Sequence, residues 1–293
     1  MKLSKRLNIG GVSEHFNLPW HLAIENGSFE KAEIDVSWQN CEGGTGEMTQ
    51  ALKEGTLDVA VLLTEGIIKA IHKGNPSRIL QVYVQSPLRW GIHVAAGSVY
   101  QDVIELENKK AAISRFGSGS HLMAYVHANN NNWDLDSQEF NVVNSLQGGR
   151  EALLNGTVDY FLWEKFTTKP YVDKGEFRIL GECPTPWPCF VIAVREELLL
   201  THPDILEKML DTINASSLEL KNNPNAVELV SNRYQLKKED VEQWFSETQW
   251  SDTKSIDLNT MKKVQDRLLS LNMIDQPMSP SAFCTSLSKE SIL

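Results

Sequence analysis

The residues with the most chemical potential stand at one helix start and two strand exits. Gly117-Ser118-Gly119-Ser120-His121 opens an amphipathic stretch. Free backbone N–H groups there, with the Ser118 and Ser120 hydroxyls, could converge on one acceptor oxygen. The same residues could equally form only a capped turn. Glu65 and Glu164 each follow a short apolar run, Val59 to Leu63 and Tyr160 to Trp163. Trp90, Trp163 and Trp187 lie near strand exits or chain crossings. Most tryptophans are core residues, so each could pack inside or line a ligand.

Other chemistries lack their residues. No Gly-Lys-Ser/Thr follows the glycines, and their spacing is not that of a dinucleotide fingerprint. Phe116-Gly117-Ser118-Gly119-Ser120 supplies only Gly-Ser-Gly, short of the nucleophile elbow G-x-S-x-G. His121 and His127 are six apart, as are His15 and His21, so neither pair shares a helix face. There is no HExxH. The four cysteines, Cys41, Cys183, Cys189 and Cys284, form no CxxC. They read as reduced thiols, since a Cys183–Cys189 bridge is opposed by the prolines between them. No metal and no cofactor are expected.

The elements that must position these residues come in two copies. Ala51-Leu52-Lys53-Glu54-Gly55-Thr56-Leu57-Asp58-Val59-Ala60 returns as Ala152-Leu153-Leu154-Asn155-Gly156-Thr157-Val158-Asp159-Tyr160-Phe161. Each copy is the end of a helix, a glycine at the C′ position and a buried strand. Strand, loop, helix, strand, helix, Gly-Thr-x-Asp, strand occurs twice, and two similar α/β lobes are the economical reading. Cys183 to Cys189 carries three prolines in seven residues and reads as a stiff, extended link. From Thr201 onward the pattern is helical.

The 293 residues carry a formal charge of -10, which argues against nucleic acid as a partner, since that wants a basic face. Hydrophobic content of 41% is enough for two cores. No window reaches the ~18 apolar residues of a membrane-spanning helix, so no membrane insertion is expected. Met1 to Arg6 shows no apolar signal region. The chain as it stands therefore reads as cytoplasmic, or as periplasmic if a signal has been removed.

The strand-one loop at Ser13, Leu52-x-x-Gly55-Thr56-x-Asp58-Val59-Ala60, the Gly117–Ser120 helix start, and the tail with Asn225-Ala226 and Glu239-Asp240-Val241 together resemble the type 2 periplasmic-binding-protein family. The likeness is to its sulfonate, taurine and nitrate members and to thiamine-pyrimidine proteins. It implies a two-lobed α/β fold with two hinge crossings and a C-terminal helical segment on lobe I. Lobe I would be 1–92 and 190–275, lobe II 93–189, and 276–293 a flexible tail. In that family the lobes close on a small molecule at strand ends and helix starts. From lobe I the resemblance implies Ser13, Gly44, Thr45, Thr64 and Glu65 as ligand-binding residues, with His15 beside them. From lobe II it implies Ser118, Gly119, Ser120 and Glu164, with Phe116 and Trp163 near them and Trp187 at the hinge.

The implied function is binding of a small polar ligand (sulfonate, amine or pyrimidine-like), as the solute-binding component of an ABC-type transport system or as a sensor. An ABC permease would be the partner. The alternative is an enzyme on the same fold, of the menaquinone-pathway or pyrimidine-synthesis type. The cysteine-rich iron motif of one pyrimidine-synthesis branch is absent. Closure about Trp90–Ala95 and Cys183–Cys189 would bring Glu65 and Glu164 towards one cleft. Two carboxylates there favour a ligand with an amine, amidine or amide donor. Any acidic group of that ligand would be held at Ser118–Ser120.

Overall fold

A computed structural model describes residues 6–287 of the chain. In chain order the first strands and helices are β1 (Leu7–Gly11), α1 (Leu18–Glu25), α2 (Ser28–Lys31), β2 (Val36–Asn40), α3 (Gly44–Glu54), β3 (Val59–Leu63), α4 (Thr64–His72) and β4 (Ser77–Val84). Then follow β5 (Arg89–Ala95), β6 (Lys110–Ile113), α5 (Gly119–Asn130), β7 (Glu139–Val142), α6 (Leu146–Leu154), β8 (Tyr160–Glu164), α7 (Lys165–Asp173) and β9 (Phe177–Pro184). The last are β10 (Phe190–Arg195), α8 (Glu196–Thr201), α9 (Pro203–Asn222), α10 (Ala226–Tyr234), α11 (Lys238–Glu247) and α12 (Leu258–Ser270).

Two compact units result. Unit 1 is Met1–Ser86 with Trp187–Leu293, and unit 2 is Pro87–Pro186. Each has a five-stranded sheet, ordered β2-β1-β3-β10-β4 in unit 1 and β7-β6-β8-β5-β9 in unit 2. The orders match place by place. β1 runs parallel to β2 and β3, as β6 does to β7 and β8. The antiparallel strand inserted beside β3 is β10, and the one beside β8 is β5.

The Gly-Thr-x-Asp repeat explains this match locally. Gly55 and Gly156 take left-handed backbones at φ 80° and 73°. In both copies the following threonine N–H donates to the carbonyl of the alanine five residues back, Ala51 or Ala152, closing the helix end. The aspartate then fixes the strand entry. Asp58 Oδ2 accepts from Asn8 N–H at 3.0 Å, and Asp159 Oδ2 accepts from Lys110 N–H at 2.9 Å. Each carboxylate thereby supplies the acceptor that the first residues of the neighbouring strand lack, and sets its register.

The cores follow from the apolar runs. Val59 to Leu62 is buried throughout, as a central strand covered on both faces must be. α9 turns Leu206, Met209, Leu210 and Ile213 inward at helical spacing. In unit 2, Ala112, Val143, Leu153, Val158, Phe161 and Phe177 form one cluster. No helix among the described residues is long and apolar enough to cross a membrane.

Three expectations need correction. β5 pairs along its length with β8 and β9, so the chain enters unit 2 at Pro87 rather than at residue 93. The segment Cys183–Cys189 is not a free link. Cys183 and Pro184 continue β9 opposite Trp90 and Arg89, and Thr185 Oγ1 accepts from Leu88 N–H at 2.9 Å. Unit 1 accordingly resumes at Trp187 rather than at residue 190. Residues 276–287 are packed rather than a flexible tail. Phe283 and Cys284 are buried, and Ile79 of β4 bonds the chain on both sides, through Phe283 O and Thr285 N. The reason is that β4 is an edge strand whose outer N–H and C=O groups need partners. The rest of that tail, 288–293, lies outside the described residues. All four cysteines are buried, and none forms a disulfide.

Candidate functional site

In unit 1 the candidate residues gather at the start of α4. Leu63 N–H donates to Thr45 Oγ1 at 3.3 Å. Thr64 Oγ1 donates to Pro188 O at 2.6 Å, and Thr64 N–H to Cys189 O at 3.1 Å. These bonds tie α3, α4 and the returning segment before β10 into one corner. Gly66 is required there, because a Cβ would stand 2.3 Å from the Thr45 methyl. Glu65, only 2% exposed, lies in the first turn of α4. Its Oε2 accepts from Trp187 Nε1–H at 2.8 Å. Its Oε1 is buried and has no hydrogen-bond partner among the described residues. Burial pushes this carboxyl up to about 7, against the opposing pull of its own backbone N–H and the Trp187 donor.

Two other unit 1 candidates stand apart from this corner. Ser13 is exposed and its hydroxyl donates to Glu42 Oε1 at 2.8 Å. His15 is buried against Phe16, Trp244 and Tyr234, with ring centroids 4.9, 4.2 and 5.9 Å away. Burial lowers its pKa to about 3, so it sits in this aromatic group as a neutral ring. Gly44 opens α3 with φ 63°, a backbone that suits glycine.

In unit 2 the serines are engaged with one another. Ser118 is the N-cap of α5 and accepts from His121 N–H at 3.3 Å. Ser120 Oγ lies 3.1 Å from Ser118 Oγ and 3.0 Å from Ser114 Oγ, and accepts from Ser114 N–H at 2.9 Å. Both hydroxyls are buried, so they build the turn themselves. The N–H groups of Gly119 and Ser120 have no intrahelical acceptor, as at any helix start. Phe116 is 67% exposed and meets His121 edge-on at 5.4 Å.

Glu164 lies at the same end of the unit 2 sheet, where β8 leaves it parallel to β6. It is the N-cap of α7, and its Oε2 accepts from Thr167 N–H at 2.6 Å and Thr167 Oγ1 at 2.8 Å. Its Oε1 is buried without a partner among the described residues. Burial raises this carboxyl also to about 7, opposed by the Thr167 N–H and hydroxyl. Trp163, half-buried on the same strand, packs on Phe161 at 5.2 Å. Among the described residues no group of three His, Cys, Asp or Glu side chains could hold a metal ion.

Comparison with known proteins fits this geometry. The family profile described as Ca3427-like PBP matches residues 90–183. The structure of the Candida albicans CA3427 gene product, described as exhibiting the generic periplasmic binding protein fold, is 25% identical. It superposes with a TM-score of 0.87 over 96% of both chains. The alkanesulfonate-binding protein SsuA of Xanthomonas axonopodis pv. citri, bound to MOPS, is 14% identical with a TM-score of 0.81, over 96% of this chain and 98% of that one. The ligand-binding component of an ABC-type import system from Staphylococcus aureus, solved with zinc bound, is 14% identical with a TM-score of 0.78, over 98% and 99%. No curated protein matches at a significant level.

The chain has the two-lobed periplasmic-binding-protein fold. The two matched sheets are the two α/β lobes of that fold. Within the type 2 frame the two acids are less equivalent than their sequence context implied. Aligning Asp58 with Asp159 sets Glu164 opposite Leu63, and Glu65 opposite Phe166. Glu164 therefore caps its helix, whereas Glu65 lies inside the first turn. Trp90, which the sequence marked only as able to pack inside or to line a ligand, belongs beside Glu164. Trp90 is buried, sits directly opposite Glu164 in the β5–β8 pair, and its Nε1–H has no partner among the described residues. The strand alternation of Trp90-Gly91-Ile92-His93 was the available signal, but only the register says which residue faces it.

Proposed function

We propose that this type 2 periplasmic-binding-protein-like chain binds a small polar ligand carrying an N–H donor, as the solute-binding component of an ABC-type import system. The observation that carries the reading is the Glu65 carboxyl. One oxygen is anchored by an indole N–H, and the other is buried with nothing to bind. Buried polar atoms are nearly always satisfied, so an orphaned carboxyl oxygen at a helix start marks a place where a donor is meant to arrive. The importer setting is supported by the fold shared with the Xanthomonas and Staphylococcus binding proteins.

The Ser118 and Ser120 hydroxyls have a smaller part in this reading, because they satisfy each other.

The test is a thermal-shift panel of propylamine, taurine, 4-aminopyrimidine and ethanesulfonate on the parent chain and on Glu65→Gln. A compound at 100 times its Kd stabilises by ~2.7 kcal/mol. The amino compounds should raise the melting temperature of the parent, ethanesulfonate should not, and Glu65→Gln should lose the response. A parent indifferent to the whole panel, or a variant that responds equally, would sink the reading. Recovery of the bound compound unchanged after hours separates binding from turnover by an enzyme of the same fold.

A further inference from the structure

Unit 2 holds an unsatisfied polar pair that the reading above does not use. Trp90 and Glu164 are directly opposed across the antiparallel β5–β8 pair. Directly opposed residues project from the same face of a sheet with their Cβ atoms about 5 Å apart. Trp90 is 6% exposed and Glu164 3%. Among the described residues the indole Nε1–H has no acceptor and Glu164 Oε1 has no donor, so the two groups are not bonded to each other. Glu164 cannot swing freely to close that gap, since its other oxygen is committed to Thr167.

Two further indole N–H groups, those of Trp20 and Trp244, also lack acceptors. Both are enclosed by aromatic rings. Phe29, Trp38 and Tyr83 surround Trp20, and His15, Phe16 and Trp250 surround Trp244. Trp90 differs in standing directly opposite a fully buried carboxyl across a strand pair.

We propose that Trp90 Nε1–H and the Glu164 carboxyl together bind the planar edge of a ligand that carries a hydrogen-bond acceptor and an N–H donor side by side. An indole can only donate, and an ionised carboxylate can only accept. A primary amide or an amino-substituted azine offers the complementary pair on one edge. A sulfonate offers acceptors alone and leaves Glu164 unmatched. An alkylammonium offers donors alone and leaves Trp90 unmatched. The pair is therefore a specificity device. It rests on the reading of the chain as a small-molecule binder, and it selects planar nitrogen-containing ligands in unit 2.

The experiment is an NMR titration of the intact chain labelled with ¹⁵N in its indoles, the Trp90 signal being assigned by its disappearance in Trp90→Phe. The probes are 4-aminopyrimidine and nicotinamide. Pyrimidine, with acceptors only, and propylamine, with donors only, are the controls. Both probes should move the Trp90 indole signal saturably, and neither control should. Glu164→Gln, which keeps an oxygen for Thr167 but turns an NH₂ group towards the incoming donor, should weaken both probes at least tenfold. A stationary Trp90 signal, while the same probes raise the melting temperature of the parent, overturns the pair and leaves the ligand-binding reading standing. Pyrimidine moving the signal as far as 4-aminopyrimidine overturns it also. If no probe moves either the signal or the melting temperature, both readings fall together.

Discussion

Glu65 and Glu164 fill one niche in the two units, a buried carboxyl at the start of a nine-residue helix that follows a buried strand. They are held differently. Glu164 is anchored locally, three residues along, by the N–H and hydroxyl of Thr167. Glu65 is anchored by Trp187, 122 residues away, where the chain returns to unit 1. In both cases one oxygen is tied and the other is bare. In both, burial raises the carboxyl to about 7. Two anchoring solutions that leave the same oxygen unsatisfied argue that the bare oxygen is the retained feature, and that the anchor only aims it.

The aspartates of the repeat sharpen this comparison, and there the larger effect is expected. Asp58 is buried and faces Arg195 Nη2 at 3.6 Å as well as Asn8 N–H. Asp159 is half-buried and shared between Lys110 N–H and the Tyr100 hydroxyl. Breaking a buried charge pair from one side costs about 3–5 kcal/mol, so Asp58→Ala should lose about that much. Asp159→Ala should lose roughly 1–2 kcal/mol, the cost of hydrogen bonds at a partly wet site. Denaturant unfolding of the two variants checks this. Equal losses would mean that the units lean on the repeat alike.

The next effect concerns pH. The Glu65 carboxyl has an ordinary value of 4.5 and is raised to about 7 in the folded chain. Its contribution to stability is therefore fully present below pH 4.5 and is lost as pH rises through 7. Glu65→Gln carries no such penalty. Without ligand the variant should match the parent at pH 4 and exceed it at pH 8 by on the order of 3 kcal/mol, at about 1.4 kcal/mol per pKa unit over a rise of about 2.5 units. Glu164→Gln should gain less, because Thr167 holds the Glu164 carboxylate in place and binds an amide less well. Thermal unfolding at the two pH values reads both.

Much of the fold was legible in the chain itself. Gly55 and Gly156 announce helix ends because only a left-handed backbone fits there, and the apolar runs after Asp58 and Asp159 announce buried strands. The register was not legible. Nothing local says that Trp90 faces Glu164, or that β10 inserts antiparallel beside β3. The serines at 118 and 120 show the converse limit. Their types and spacing suited a ligand, yet their hydroxyls satisfy one another, and that depends on Ser114 four residues before the cap. The packing of residues 276–287 depends on β4 being an edge strand, a property of the assembled sheet.

The central claim, that the bare oxygen of Glu65 receives the donor of a ligand, is tested most directly by a ¹³C NMR titration of the Glu65 carboxyl with and without saturating 4-aminopyrimidine. Unliganded, the carboxyl should titrate near 7. A donor placed on the ionised oxygen favours the charged form, so with the compound bound the midpoint should fall by one unit or more. A midpoint that stays where it was, with binding confirmed in the same sample, would contradict the account.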